Sequence, residues 1–247
     1  MDYGTLRILP LLMTVVSAVG AQAGDAAGLN KDPMALVPAG EFLMGTKQGT
    51  KAELPVRKVR LDAYYIDRYE TSAREYEAFQ PSRARSGRSA CDECPVTLVN
   101  WMEADAYCKS RGARLPTEAE WERAARGPEG NDYSFGRQPD KTKARFGEPF
   151  AEGAVPVDAH EPNGFGIYNM SGNVWEWVGD WFAPYPKGPS ENPSGPASGS
   201  ERVLRGGSWY NAEYYINAGM RFHLDPTARL NSLGFRCAIS AKEGAGK

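Results

Sequence analysis

Histidine is nearly absent from this sequence: His160 and His223 are the only two in 247 residues. Four cysteines complete the stock of strong metal-ligating side chains, and no Cys/His spacing of the zinc-binding kind joins them. An excess of charge is also missing. Twenty-nine Lys and Arg face 31 Asp and Glu, leaving a net charge of -2. That balance lacks the basic field that gathers nucleic acid or anionic lipid. Arg83, Arg85 and Arg88 lie close together, but in a polar stretch that reads as a solvated loop. Past the first twenty or so residues no apolar run is long enough to cross a bilayer. There is no internal repeat, low-complexity tract or linker. A composition of 41% hydrophobic and 24% charged residues suits one globular domain with a sizeable core.

The chain opens with a targeting pattern. Arg7 and the amino terminus precede an apolar run from Ile8 to Val19, and Ala21-Gln22-Ala23 fits the small-x-small cleavage rule. Residues 1–23 are therefore expected to be a signal peptide, residues 24–247 the domain, and the periplasm the destination. In an oxidising compartment cysteines pair, and four of them allow three connectivities. A Cys108–Cys237 bond closes a long loop and removes the more unfolded-state entropy, about 4–5 kcal/mol on the chain-entropy account. Cys91 and Cys94 are near neighbours, and a local bond between them is expected.

What is plentiful is glycine and proline, 27 and 18 residues. Pro38-Ala39-Gly40 predicts a turn between two short strands within 36–44. Val59, Leu61, Ala63 and Tyr65 alternate with polar residues and predict one half-buried strand. Three helices follow from periodicity and capping. The first covers 71–79 with Tyr76 and Phe79 on one face. The second is capped by Asn100 with Glu103, buries Trp101, Ala104, Tyr107 and Cys108, and stops at Gly112. The third opens on the capping box Thr117-Glu118-Ala119-Glu120, turns Trp121, Ala124 and Ala125 inward, and stops at Gly127. From Pro128 to Pro226 turn residues recur every few positions, so short strands and loops are expected, with Trp175, Trp177 and Trp181 supplying burial.

Several blocks in fixed order carry a family resemblance. They are Val37-Pro38-Ala39-Gly40-Glu41-Phe42-Leu43-Met44-Gly45, Pro95-Val96-Thr97-Leu98-Val99-Asn100-Trp101, Arg114-Leu115-Pro116-Thr117-Glu118-Ala119-Glu120-Trp121-Glu122, Asn163-Gly164-Phe165-Gly166-Ile167-Tyr168-Asn169-Met170, Ser171-Gly172-Asn173-Val174-Trp175-Glu176-Trp177, Arg205-Gly206-Gly207-Ser208-Trp209 and Leu233-Gly234-Phe235-Arg236-Cys237. Together they resemble the formylglycine-generating enzyme, or sulfatase-modifying factor, family. The resemblance implies a single-domain α+β fold, C-type-lectin-like, with little regular secondary structure, and it takes the first block as an opening hairpin. It also implies the Cys108–Cys237 disulfide, while Ala125 stands at one position of a second family disulfide.

The family's chemistry fits less well. Its copper is held by two cysteines, one three residues after the serine of the Gly-Gly-Ser block and one five residues further on. Asn211 and Ile216 stand there, and neither an amide nor an alkyl chain binds a soft Cu(I) ion. Related iron-dependent sulfoxide synthases need a histidine cluster that His160 and His223 do not make. No copper and no iron are expected, and formylglycine generation is not the expected activity. The resemblance further implies structural calcium at Asn169, Gly172, Val174 and Glu176, whose oxygens suit that ion. A second calcium site is interrupted by Arg145.

The pocket implied by the family is lined by Ser208, Trp209, Tyr210, Asn211, Glu213, Tyr214 and Arg221. Aromatic side chains and arginine without a nucleophile–base pair suit recognition. The expected role is that of a non-catalytic exported regulatory or protein-binding module. It is similar to the periplasmic regulator acting upstream of a membrane threonine kinase in type VI secretion, so the expected partner is an envelope protein such as that kinase's periplasmic part. Two alternatives stand beside it. One is a periplasmic enzyme maturing a siderophore chromophore, with Glu213 or Tyr210 as proton acceptor. The other is a carbohydrate or small-ligand binder, which rests on fold analogy alone.

Overall fold

A computed structural model describes Met1 and residues 33–241, so the expected signal peptide lies outside the described residues. The described elements run β1 (Met34–Val37), β2 (Gly40–Met44), β3 (Arg57–Leu61), β4 (Tyr64–Asp67), α1 (Ala73–Phe79), α2 (Trp101–Ser110) and α3 (Glu118–Arg126). The second half holds β5 (Trp175–Trp181), β6 (Ser190–Glu191), β7 (Arg202–Arg205), β8 (Arg221–Leu224), β9 (Leu233–Phe235) and β10 (Ala238–Ser240).

Each helix begins where its side chains satisfy the orphan backbone donors of a first turn. Ser72 with Glu75, Asn100 with Glu103 and Thr117 with Glu120 all form reciprocal capping boxes. Of the expected inward residues of α2 and α3, Ala104, Cys108, Trp121, Ala124 and Ala125 are completely buried and Tyr107 nearly so, but Trp101 is only half-buried, its ring covered by the Arg202 guanidinium 3.7 Å from the ring centre. Phe79 departs from expectation: it is 43% exposed and covers Tyr76 and Tyr107 edge-on.

The strands form three small sheets, in the orders β1-β4-β10, β2-β3-β6 and β8-β7-β5-β9. The turn at Pro38–Gly40 is therefore not a hairpin. β1 pairs with β4 while β2 pairs with β3, so the turn carries the chain from one sheet to another. The single strand expected through Val59–Tyr65 is likewise two. Val59 and Leu61 are buried in β3, but after a break at Asp62–Ala63 the buried residue is Tyr64, and Tyr65 is 41% exposed. A one-residue shift exchanges the two faces of a strand, and here it accompanies the change of sheet.

The tryptophan-rich stretch becomes β5, the middle of the largest sheet, antiparallel to β7 and parallel to β9. Trp177 is fully buried and Trp175 nearly so, whereas Trp181 lies at the edge with the Arg202 guanidinium 3.5 Å from its ring centre. Three arginine–carboxylate pairs lock α3 and the strands together inside this core: Arg205–Glu122, Arg221–Glu118 at 2.6 Å and Arg236–Glu176 at 2.7 Å. Both expected disulfides are present, Cys108–Cys237 across 129 residues and Cys91–Cys94 across three. The three arginines of the polar loop are not freely solvated. Arg85 pairs with Glu77 and Asp92, Arg83 donates to the Thr97 carbonyl, and Arg88 donates to the Ala151 carbonyl.

Candidate functional site

The candidate surface is built by the chain that leaves β7. Gly206 and Gly207 have φ of +97° and +71°, a region few side chains tolerate. A Cβ on Gly207 would sit 2.7 Å from the Tyr215 carbonyl oxygen, so only glycine lets the two segments approach. Ser208 to Asn211 then form a tight turn. The Asn211 Oδ1 accepts from the Ser208 N–H at 2.9 Å and from its hydroxyl at 2.6 Å. The turn is held from outside by the Gly147 and Glu148 N–H groups, which donate to the Asn211 and Trp209 carbonyls. A 3-10 turn over Glu213–Ile216 follows, and Ile216 is fully buried with Tyr133, Ala144 and Phe146.

Both positions at which the family resemblance implies copper cysteines thus have structural roles. Asn211 closes a turn and Ile216 fills a core, and all four cysteines of the chain are in disulfides. These residues do not fit copper.

The expected surface residues separate into two groups. Tyr210, Glu213 and Tyr214 are exposed and Asn211 half-buried. Ser208, Trp209 and Arg221 are buried, which corrects the expectation for them. Trp209 lies beneath Phe150 and Tyr210, with ring centres 5.9 and 5.6 Å away. Arg221 turns toward α3. It donates to both Glu118 oxygens at 2.8 and 2.6 Å and stacks 4.1 Å from the Tyr185 ring centre.

Other aromatic side chains reach the surface instead. Phe150, Tyr215 and Phe222 are 47%, 38% and 43% exposed. Phe150 meets Tyr210 edge-on at 5.2 Å, Tyr214 meets Tyr215 likewise, and Trp175 contacts both Tyr215 and Phe222. Glu213 and Tyr214 also line a cavity of about 200 Å³ with Thr46, Tyr133 and Met220. Phe150 and Phe222 lie outside the sequence blocks of the resemblance, so no motif signalled them.

The loop expected to hold calcium contains a different arrangement. The Glu176 Oε1 accepts from Arg236 Nη2, and its Oε2 accepts from Arg236 Nε and Trp121 Nε1, each within 2.8 Å. Asn169 donates to Glu70 and to the Val157 carbonyl, while its Oδ1 faces His160 at 3.3 Å. Asn173 donates to Glu70 as well. A carboxylate already neutralised by a buried guanidinium supplies no free charge for a cation. Asn169 and Glu176 therefore do not fit a carboxylate-anchored calcium site. His160 and His223 do not meet, and no cluster of three or more His, Cys, Asp or Glu side chains suited to a metal occurs among the described residues.

Glu70, which the sequence did not single out, is fully buried beside this pair. Burial first, and the neighbouring Glu176 second, push its carboxyl up to about 8, against the pull of Arg236. Burial and Glu118 likewise push Asp180 up to about 8. A carboxyl whose folded pKa exceeds its unfolded value binds its proton more tightly when folded. Its stabilising contribution is full below the unfolded pKa and is lost as pH rises toward the folded one. Urea midpoints are expected to fall between about pH 5 and about pH 8, and Glu70→Gln should flatten that fall. A midpoint that rises across this window would contradict the assignment.

The site and fold define a class: a single α+β domain of low helix and strand content, whose glycine-rich corner presents aromatic side chains. Residues 21–241 match the Sulfatase-modifying factor enzyme 1-like domain, and the chain belongs to that family. The formylglycine-generating enzyme of Bos taurus is 33% identical over 276 residues, covering 83% of this chain and 74% of that one. The inactive C-alpha-formylglycine-generating enzyme 2 of Mus musculus is 32% identical, covering 96% and 94%. The serine/threonine-protein kinase pkn1 of Chlamydia pneumoniae is 35% identical over 234 residues, covering 83% of this chain and 37% of the kinase. Among solved structures, PvdO from Pseudomonas aeruginosa superposes with a TM-score of 0.72 at 26% identity, covering 84% of this chain and 94% of that one.

Proposed function

We propose that this protein is an exported, non-catalytic regulatory module that binds a protein of the cell envelope through its exposed aromatic corner. The observation that carries this reading is the pairing of two facts at one place. Asn211 and Ile216 hold backbone and core where relatives hold a metal, and Phe150, Tyr210, Tyr214, Tyr215 and Phe222 stand exposed around them. Aromatic side chains carry large contact area at small conformational cost and anchor protein interfaces. Within this proposal the partner is the extracytoplasmic part of a membrane threonine kinase in the type VI secretion pathway. The likeness to a kinase-named relative supports that choice.

The test is crosslinking in intact cells followed by capture of the tagged full chain. Wild type is expected to recover the kinase, and the variant Tyr210→Ala/Tyr215→Ala/Phe222→Ala to recover at least about tenfold less, the loss expected for hot-spot anchors. Deleting the gene should leave siderophore fluorescence unchanged. Equal recovery by the variant, or loss of fluorescence on deletion, would overturn the proposal.

A further inference from the structure

On a different part of the molecule, a cavity of about 310 Å³ lies between β3, the start of α3 and the proline-rich loop 183–196. Arg57 lines it and is 7% exposed. Among the described residues its guanidinium has no carboxylate partner. It donates to the Ser190 hydroxyl at 2.7 Å and weakly to the Met44 sulfur at 3.8 Å, and its buried Nε meets no acceptor among the described residues. The neighbouring Arg221 is neutralised by Glu118, and both guanidiniums lie within 5 Å of the Tyr185 ring centre. A buried cation beside a second cation, with donors unmet, is costly unless an anion completes it.

We propose that this cavity binds a small organic monocarboxylate, anchored at its acid end by Arg57. The volume exceeds that needed for a simple ion. Met44, Tyr185, Trp181 and Pro193 offer apolar surface for the rest of such a molecule. Arg57 presents a planar fork that matches a carboxylate. A phosphate dianion fits less well, because the single Arg57 guanidinium balances one negative charge and the second would be buried without a counter-charge, Glu118 already holding Arg221. Asp180 accepts from the Glu118 N–H at 2.7 Å, and burial first, then Glu118, push its carboxyl up to about 8, so it adds little negative charge to the cavity at neutral pH. The site is independent of the aromatic corner and stands or falls apart from the proposed function.

Calorimetric titration of the full chain with benzoate and butyrate tests this, with benzyl alcohol and inorganic phosphate as controls. One or both carboxylates are expected to bind. Benzyl alcohol should bind at least about tenfold more weakly than benzoate, and phosphate should not compete, since a charge-assisted pair is lost in the first case and a second negative charge is left buried and uncompensated in the other. Arg57→Gln should weaken carboxylate binding by about the same tenfold factor. Near-UV circular dichroism checks that the variant folds, and the benzoate–alcohol comparison needs no variant. Absence of binding by both carboxylates, equal binding of benzyl alcohol, or binding unchanged in folded Arg57→Gln would overturn the proposal.

Discussion

Replacing Cys108 and Cys237 together by alanine is expected to lower the free energy of unfolding by about 4–5 kcal/mol on the chain-entropy account. The bond joins residues 129 apart and ties the buried face of α2 to the junction of β9 and β10, where both cysteines are fully buried. Cutting it returns to the unfolded chain the freedom of a loop spanning more than half the protein. The companion change at Cys91 and Cys94 opens a loop of separation three and is expected to cost less than half as much, because loop entropy grows with the logarithm of loop length. Urea unfolding of both variants under oxidising conditions checks the pair. Equal losses would show that the long loop is not the source of the stabilisation.

Arg236→Met is the second large effect, with an expected loss of about 3–5 kcal/mol. Arg236 and Glu176 are both completely buried, and the guanidinium also donates to the Asp67, Arg68 and Tyr168 carbonyls. Removing the cation leaves Glu176 charged in the core beside Glu70, and takes one donor from each of three carbonyls. The double change Arg236→Met/Glu176→Leu should recover part of the loss, since it removes the uncompensated charge. Chemical denaturation of wild type and both variants decides this. If Glu176→Leu added to Arg236→Met brings further loss, the pair is not the unit that matters.

Local chemistry in the sequence was enough to place the helices, because capping boxes and Gly112 and Gly127 act within a few residues. The ordered blocks and the far-separated cysteines were enough for the fold. The strands were less legible. Val59 to Tyr65 reads as one alternating run, and nothing local marks the point at which the chain changes sheet. The candidate surface was legible only in part. Tyr210, Glu213 and Tyr214 face solvent as expected, but Trp209 and Arg221 share their segment and turn inward, because Phe150 covers one and Glu118 pulls the other. Glu118 and Glu122 look like the solvent face of an amphipathic helix. They are buried because Arg205 and Arg221 arrive from strands some eighty to a hundred residues later. Arg57 gives no sign of its isolation in sequence, since an orphan is defined by partners that fail to arrive.

The long stretch between α3 and β7 carries little helix or strand, yet much of its backbone is fastened. Gly172 and Asn173 donate to the Gly206 and Arg145 carbonyls, Tyr168 donates to Arg68, and Gly179 donates to Pro116. Slow amide exchange with deuterated solvent would therefore extend well outside the named strands. On such a map the boundary between ordered scaffold and connecting loop would vanish over much of this region, and irregular chain would release its protons only when the whole domain opens.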